Sequence, residues 1–269
     1  LRKNFLEYFE YIIFQLQYPS VEKKKNEKWE AHRERLKKHH TNNKHTTLEY
    51  KVLYHLVNAA DYGVPQKRER VFIIGFRSDV DVSWSFPQPT HSEDALLWSK
   101  WVTKEYWKKH KIQCPKVDEK TEKKVKKLKQ KYGMFEPDVK SWLTVRDAIS
   151  DLPDPKSKKA SQFNHHVFKD GAKIYSGHTG SYIDEPSKTL KAGGHGVPGG
   201  ENMIRFEDGS VRYFTVRESA RIQTFPDNFD FEGSWGEVMR QLGNAVPAEL
   251  GKKVGQSIFL ALKSKALNK

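Results

Sequence analysis

Cysteine is nearly missing: the 269 residues hold one, Cys114. A lone cysteine excludes an intrachain disulfide framework and a cysteine-built zinc cluster, and it fits a reducing compartment. No apolar run approaches the roughly 20 residues that a membrane-spanning helix needs, and no signal peptide is evident. Position 1 is not methionine, and the opening LRKNFLEYFEYIIFQLQ already has helical periodicity. Such a beginning is expected of a fragment, a processed product or a subunit. Carboxylates are scarce against cations: Asp and Glu number 34, Lys and Arg 48, a formal charge of +14. A surplus of that size favours a polyanionic partner, nucleic acid first.

Phe5, Leu6, Phe9, Ile12, Ile13 and Leu16 form the apolar stripe of an amphipathic helix over residues 3–17. Residues 21–47 are charged, histidine-rich and poor in core formers. They read as an exposed insertion, helical around 26–38. His39, His40 and His45 lack cysteines or carboxylates at ligand spacing, so no metal site is expected. Residues 49–57 predict a strand, and the apolar run 71–76 a fully buried one. Between them lies a loop with the turn residues Asn58, Asp61, Gly63 and Pro65, followed by Gln66, Lys67, Arg68 and Arg70.

LLWSKWVTKEYWKKH, from Leu96, predicts one aromatic-rich helix. The lysine run 117–131 predicts a solvated helix face. Thr144 with Asp147, Thr215 with Glu218, and Ser234 with Glu237 have capping-box spacing and predict three helix starts. Short strands are expected at 173–176 and 187–191. Pro247 suits the first position of a final helix that carries Leu250, Val254, Ile258 and Leu262 on one face.

NAADYGVPQKRERVFIIGFR (58–77) resembles the eighth motif of the cytosine-C5 DNA methyltransferases, with its Gln-x-Arg-x-Arg core at Gln66, Arg68 and Arg70. PSKTLKAGGHG (186–196) resembles the end of that family's target-recognition domain. TVRESARIQTFPD (215–227) and QLGNAVP (241–247) resemble its ninth and tenth motifs. The order and spacing agree. The resemblance covers 1–84 and 173–269 well, with 85–172 in the place of the variable recognition domain.

The resemblance implies an α/β fold: the C-terminal part of a Rossmann-like, S-adenosyl-methionine-dependent methyltransferase sheet, plus a small, mixed, loop-rich target-recognition domain. Residues 1–84 would end the catalytic domain, 85–214 would recognise the target, and 215–269 would return to the catalytic domain. In the family a cysteine thiolate adds to C6 of a cytosine flipped out of duplex DNA, a glutamate assists at N3, and the methyl comes from S-adenosyl-methionine. Arg70 would reach the flipped cytosine, Arg68 the backbone or the catalytic loop, and Gln66 would order the loop. Asn244, Ala245 and Val246 would close the cofactor pocket, with the amino end of the last helix favouring an anionic group. Read alone, this Gly-Asn stretch is simply a turn; its position after the ninth motif raises it. Thr189 would sit on a phosphate. Ser176, His178, Thr179, Lys191, Gly193, Gly194 and His195 belong to two loops expected in the major groove.

The family's Phe-x-Gly-x-Gly, Pro-Cys and Glu-Asn-Val motifs do not occur in this sequence, and Cys114 stands in the reverse dipeptide, Cys-Pro. The resemblance therefore implies a C-terminal portion that needs an N-terminal methyltransferase portion, as a separate subunit or as part of the same chain. Its setting would be bacterial or archaeal restriction-modification in the cytoplasm. The alternative is a non-catalytic DNA-binding or regulatory module of the same descent. The retained GNAVP favours the enzyme, since a pure binder needs no cofactor lid.

Overall fold

The computed structural model describes residues 5–42, 48–192 and 202–267. They form two compact units. One takes in the described residues of 1–56, 71–86 and 257–269, the other 57–70 and 87–256. Among the described residues, no helix is long and apolar enough to cross a membrane.

In the first unit, α1 (Leu6–Gln17) packs on α2 (Trp29–Thr41), which begins a little later than the sequence suggests. His32 belongs to the core. Its Nε2 donates to the Val21 carbonyl at 2.7 Å, which leaves Nδ1 to accept from the Tyr11 hydroxyl at 2.9 Å. His39 stacks edge-on against Tyr18, and no cluster of metal ligands occurs among the described residues; His45 lies outside them.

Strands β1 (Tyr50–Asn58) and β2 (Glu69–Arg77) pair with each other. Ala59 N bonds to the Arg68 carbonyl and Ser78 N to the Glu49 carbonyl, so the pair is antiparallel. The expectation of a fully buried second strand is corrected here. Only Phe76 of β2 is buried, while Val71 and Ile73 are exposed. A strand is buried on both faces when it has neighbours on both edges and layers on both sides; among the described residues β2 has one paired neighbour. Phe5, Leu6, Tyr54, Leu56, Phe259 and Leu260 of the same unit are exposed as well.

The second unit holds a short parallel pair, β3 (His91–Ser92) with β4 (Lys140–Ser141), and the helices α3 (Glu93–Trp101), α4 (Glu105–Lys109), α5 (Glu119–Tyr132) and α6 (Val145–Ile149). A three-stranded sheet follows, in the order β5 (Ser181–Tyr182), β6 (Met203–Arg205), β7 (Val211–Tyr213). Helices α7 (Val216–Ile222), α8 (Trp235–Asn244) and α9 (Ala248–Leu267) complete the chain. All three predicted capping boxes form. Pro247 stands just ahead of α9.

Three expectations change. The single aromatic helix splits into α3 and α4, because Lys104 adopts a left-handed conformation at φ 62° behind the β-branched Val102 and Thr103. Residues 173–176 are not a strand. The chain reverses at once through Gly177 at φ 80°, with Tyr175 and His178 exchanging main-chain bonds. Residues 187–191 are extended but form no named strand: Ser187 makes an isolated bridge with Gln66, and side chains meet the main chain of Leu190 and Lys191. Leu190 N donates to Gln66 Oε1, Lys191 N donates to Asn202 Oδ1, and Asn202 Nδ2 donates to the Lys191 carbonyl.

Two buried clusters support this segment. Leu190 packs with Val145, Ile149, Ile183, Ile204, Phe214 and Ile222. Beside them, Asp184 takes a fork from Arg146 (2.6 and 2.9 Å) and the Tyr106 hydroxyl (2.7 Å). Burial alone would raise the Asp184 carboxyl; the Arg146 and Tyr106 bonds overrule it and hold the group below its usual range. Lys100, itself buried, reaches the Asp184 carbonyl and Glu185. Segment 187–191 thus rests on a cross-linked base.

Candidate functional site

The basic loop is shaped from its first residue. Asn58 Oδ1 accepts from both Ala60 N and Arg68 N, which pins the two ends of the loop together. Gly63 turns at φ 84°, where a Cβ would come within 2.8 Å of the His91 ring, so glycine is required by conformation and by space. Residues 65–67 then run alongside 187–189. Ser187 N bonds to the Pro65 carbonyl, Lys67 N to the Ser187 carbonyl, and Thr189 Oγ1 to the Lys67 carbonyl at 2.7 Å.

Arg68 is fully buried. Its Nη1 donates to the Leu190 carbonyl (3.1 Å), and its Nη2 to the carbonyls of Gly243 (2.7 Å) and Ala245 (3.0 Å). One guanidinium therefore joins three sequence-distant segments: the basic loop, the extended segment 187–191, and the end of α8 with its C-cap Ala245. Burial first, and the neighbouring Arg70 second, lower its pKa to about 10, which leaves it charged at neutral pH. A lysine has no planar fork and could not serve three carbonyls in this way. Gln66 is equally buried and holds Leu190 from the other side. Gln66 Nε2 and Arg68 Nε have no hydrogen-bond partner among the described residues.

Arg70 is different. It is exposed, and among the described residues its guanidinium bonds only the carbonyl of its neighbour Glu69. Burial thus separates the two arginines: Arg68 is committed to the fold, and Arg70 is available to a ligand. The guanidinium bonds of Arg68 also put the basic loop beside Asn244 and Ala245, on the same rim.

The turn 243–246 is tight. A Cβ on Gly243 would fall within 2.6 Å of Ala192 Cα and of the Lys191 carbonyl carbon. Asn244 and Val246 are exposed. The exposed amide and the adjacent apolar side chain fit a ligand with a polar head and an apolar edge. The amino end of α9 does not fit the anion-binding role expected of it. Ala248 N is taken by the Gln223 carbonyl and Glu249 N by Thr224 Oγ1, and Leu250 is buried. A helix start whose amides are already paired offers little to a carboxylate.

The recognition residues fall into three groups. Ser176 is exposed, with His178 and Thr179 half-buried behind it; Thr179 Oγ1 accepts from Lys188, which ties this loop to the extended segment. Thr189 and Lys191 stand on that segment. Gly193, Gly194 and His195 lie outside the described residues. Three further residues shape the site without having been singled out from sequence. Asn202 clamps Lys191, Gln223 bonds the Leu242 carbonyl at the end of α8, and the buried Arg217 holds the carbonyls of Asn164, Pro226 and Phe229. Gln223 and Arg217 sit within the ninth motif, which was the available signal; Asn202 had none. Cys114 packs against the cluster of Ala60, Leu96, Tyr106, Trp107 and Trp142, with its sulfur toward the Pro115 carbonyl.

A family model for C-5 cytosine-specific DNA methylases matches residues 27–260. The type II methyltransferase M.NgoFVII of Neisseria gonorrhoeae is 30% identical over 217 residues, which cover 78% of this chain and 50% of that protein. M.BsuRI of Bacillus subtilis is 31% identical over 233 residues, 78% of this chain and 42% of its own. M.MthTI of Methanothermobacter thermautotrophicus is 30% identical over 234 residues, 78% and 56%. The chain spans about half the length of these curated relatives. Among solved structures, the S. pombe Dnmt2 methyltransferase aligns over 88% of this chain and 63% of its own, with a TM-score of 0.41 and 16% identity.

Proposed function

The chain belongs to the C-5 cytosine-specific DNA methylase family, and on that premise we propose that it is the C-terminal portion of a DNA (cytosine-5)-methyltransferase of the restriction-modification type. It supplies target recognition, the arginine that meets the flipped cytosine, and the lid of the S-adenosyl-methionine pocket. The nucleophilic cysteine comes from an N-terminal portion. The observation that carries this reading is the Arg68 joint. A DNA-reading segment at Leu190 and a cofactor-closing turn at Gly243–Ala245 are fastened to one loop, from which Arg70 projects. A module that only bound DNA would have no use for the third attachment.

The roles follow from chemistry. Cytosine C5 is a poor nucleophile until a thiolate adds at C6, which pushes negative charge toward N3 and O2. Arg70 donates to O2, where its fixed charge stabilises that build-up. Bound S-adenosyl-methionine supplies the electrophilic methyl group. Asn244 holds its polar end and Val246 covers an apolar edge. Residues 85–214 form the target-recognition domain, with Ser176, His178, Thr179 and Lys191 toward the major groove, where lysine donates to guanine O6 or N7. The exposed apolar residues of β1, β2, α1 and α9 suit a unit that completes its core against that N-terminal portion.

The test is reconstitution. Mixed with the N-terminal portion and labelled S-adenosyl-methionine, the chain is expected to transfer label to duplex DNA, and neither part alone is. No transfer under any pairing would favour the DNA-binding module.

A further inference from the structure

The lysine run was expected to be a solvated helix face, and the structure gives that face a direction. At 100° per residue, Lys120, Lys123, Lys124, Lys127 and Lys131 of α5 fall on one side of the helix. Lys124, Lys127 and Lys131 line a single cleft with Glu93, Asp94 and Leu97 of α3. All five lysines are exposed. Only Lys131 has an ion-pair partner among the described residues, Asp94 at 2.7 Å. The two acids of α5, Glu119 and Glu122, lie about 100° or more away from the centre of the stripe. Buried Leu128, about 80° from the centre of the stripe and beside the same cleft, fixes the rotation of the helix.

The stripe also connects to the site. Lys67 of the basic loop stands 3.6 Å from Glu93, and the next residue, Asp94, takes Lys131. The lysines therefore begin beside the loop that carries Arg70 and continue for about 16 Å along α5. The basic helix α2 offers a shorter free surface: Arg33 and Arg35 are spent on Glu7, Glu10, Glu34 and Glu27, which leaves the exposed Lys37 and Lys38 at its end.

We propose that Lys120, Lys123, Lys124 and Lys127 bind the phosphates of duplex DNA flanking the recognised site, extending the grip of the basic loop without reading sequence. The proposal rests on the DNA reading above. Its chemistry is that of lysine: compact charges on flexible stems hold a phosphate backbone and do not discriminate bases. Duplex DNA presents a charge every 1.7 Å or so of axis, so a stripe of this length faces several phosphates.

The test compares the chain with its Lys120→Gln, Lys124→Gln, Lys127→Gln triple variant, titrating a duplex of several turns from 50 to 200 mM salt. Three lost phosphate contacts should flatten the slope of log affinity against log salt by about 2.7, so the parent loses about 40-fold more affinity than the variant across that range. The corresponding triple Lys→Arg variant should keep the parent slope. A Gln variant within one unit of the parent slope would overturn the proposal, as would an Arg variant that also lost it. Failure of the parent to bind any duplex overturns it too, and leaves the methyl-transfer reading to its own reconstitution assay. Circular dichroism of both variants should match the parent, which separates a lost contact from a lost helix.

Discussion

Arg70→Ala should cut methyl transfer by the reconstituted enzyme by about 10²–10³-fold, the usual cost of removing one donor from a developing anion. Duplex affinity should stay within about threefold, since one phosphate-type contact is all that binding could lose. The expectation comes from exposure. Among the described residues Arg70 makes no bond beyond the Glu69 carbonyl, so its removal leaves no buried group unpaired there and the fold should stand. Single-turnover rates measured beside equilibrium binding separate the two outcomes. Parallel loss of rate and affinity would make Arg70 a phosphate anchor and remove it from the chemistry.

Gly243→Ala should produce the opposite pattern: a folding defect before a kinetic one. The added methyl meets main chain at Ala192 and Lys191, which cannot rotate away as a side chain could. The same carbonyl that Gly243 gives to Arg68 would have to move. Overpacking against backbone costs on the order of 3 kcal/mol, or about 10 °C in Tm for a unit of this size. Thermal unfolding measures it directly. A variant with the parental Tm would show that the 191–192 segment yields freely and that the joint is not rigid.

The two variants separate the roles that the Gln-x-Arg-x-Arg spacing leaves mixed. In sequence, Arg68 and Arg70 are equivalent cations two residues apart. Alternation along a strand sends neighbours two apart to the same face, but Arg68 precedes β2, which starts at Glu69, and is turned inward by the Asn58 clamp. No local pattern states that its partners are carbonyls more than 120 residues away. What was legible is what local chemistry decides. The three capping boxes formed because each pairs a hydroxyl with a carboxylate three residues on, whatever the tertiary setting. The turn at Gly63 and the hairpin around the basic loop were readable for the same reason.

The misreadings are tertiary. Segment 187–191 has strand composition, but after one bridge at Ser187 the main chain of Leu190 and Lys191 is answered by the side chains of Gln66 and Asn202, and composition does not record that substitution. The amino end of α9 resembles an anion site until Gln223 and Thr224 are seen to occupy it. Apolar β2 reads as buried because burial is a property of its neighbours, and those described cover only part of it.

The central claim is that this chain completes a cytosine-C5 site whose nucleophile it does not carry. A duplex with 5-fluorocytosine at the target position tests it most directly. Once the thiolate has added to C6 and the methyl is on C5, release requires loss of a C5 proton, and fluorine in its place stops the reaction at the covalent adduct. With S-adenosyl-methionine and both portions present, mass spectrometry should find the DNA attached to a cysteine of the N-terminal portion and Cys114 unmodified. DNA attached to Cys114, or no adduct with an otherwise DNA-binding pair, would contradict the account.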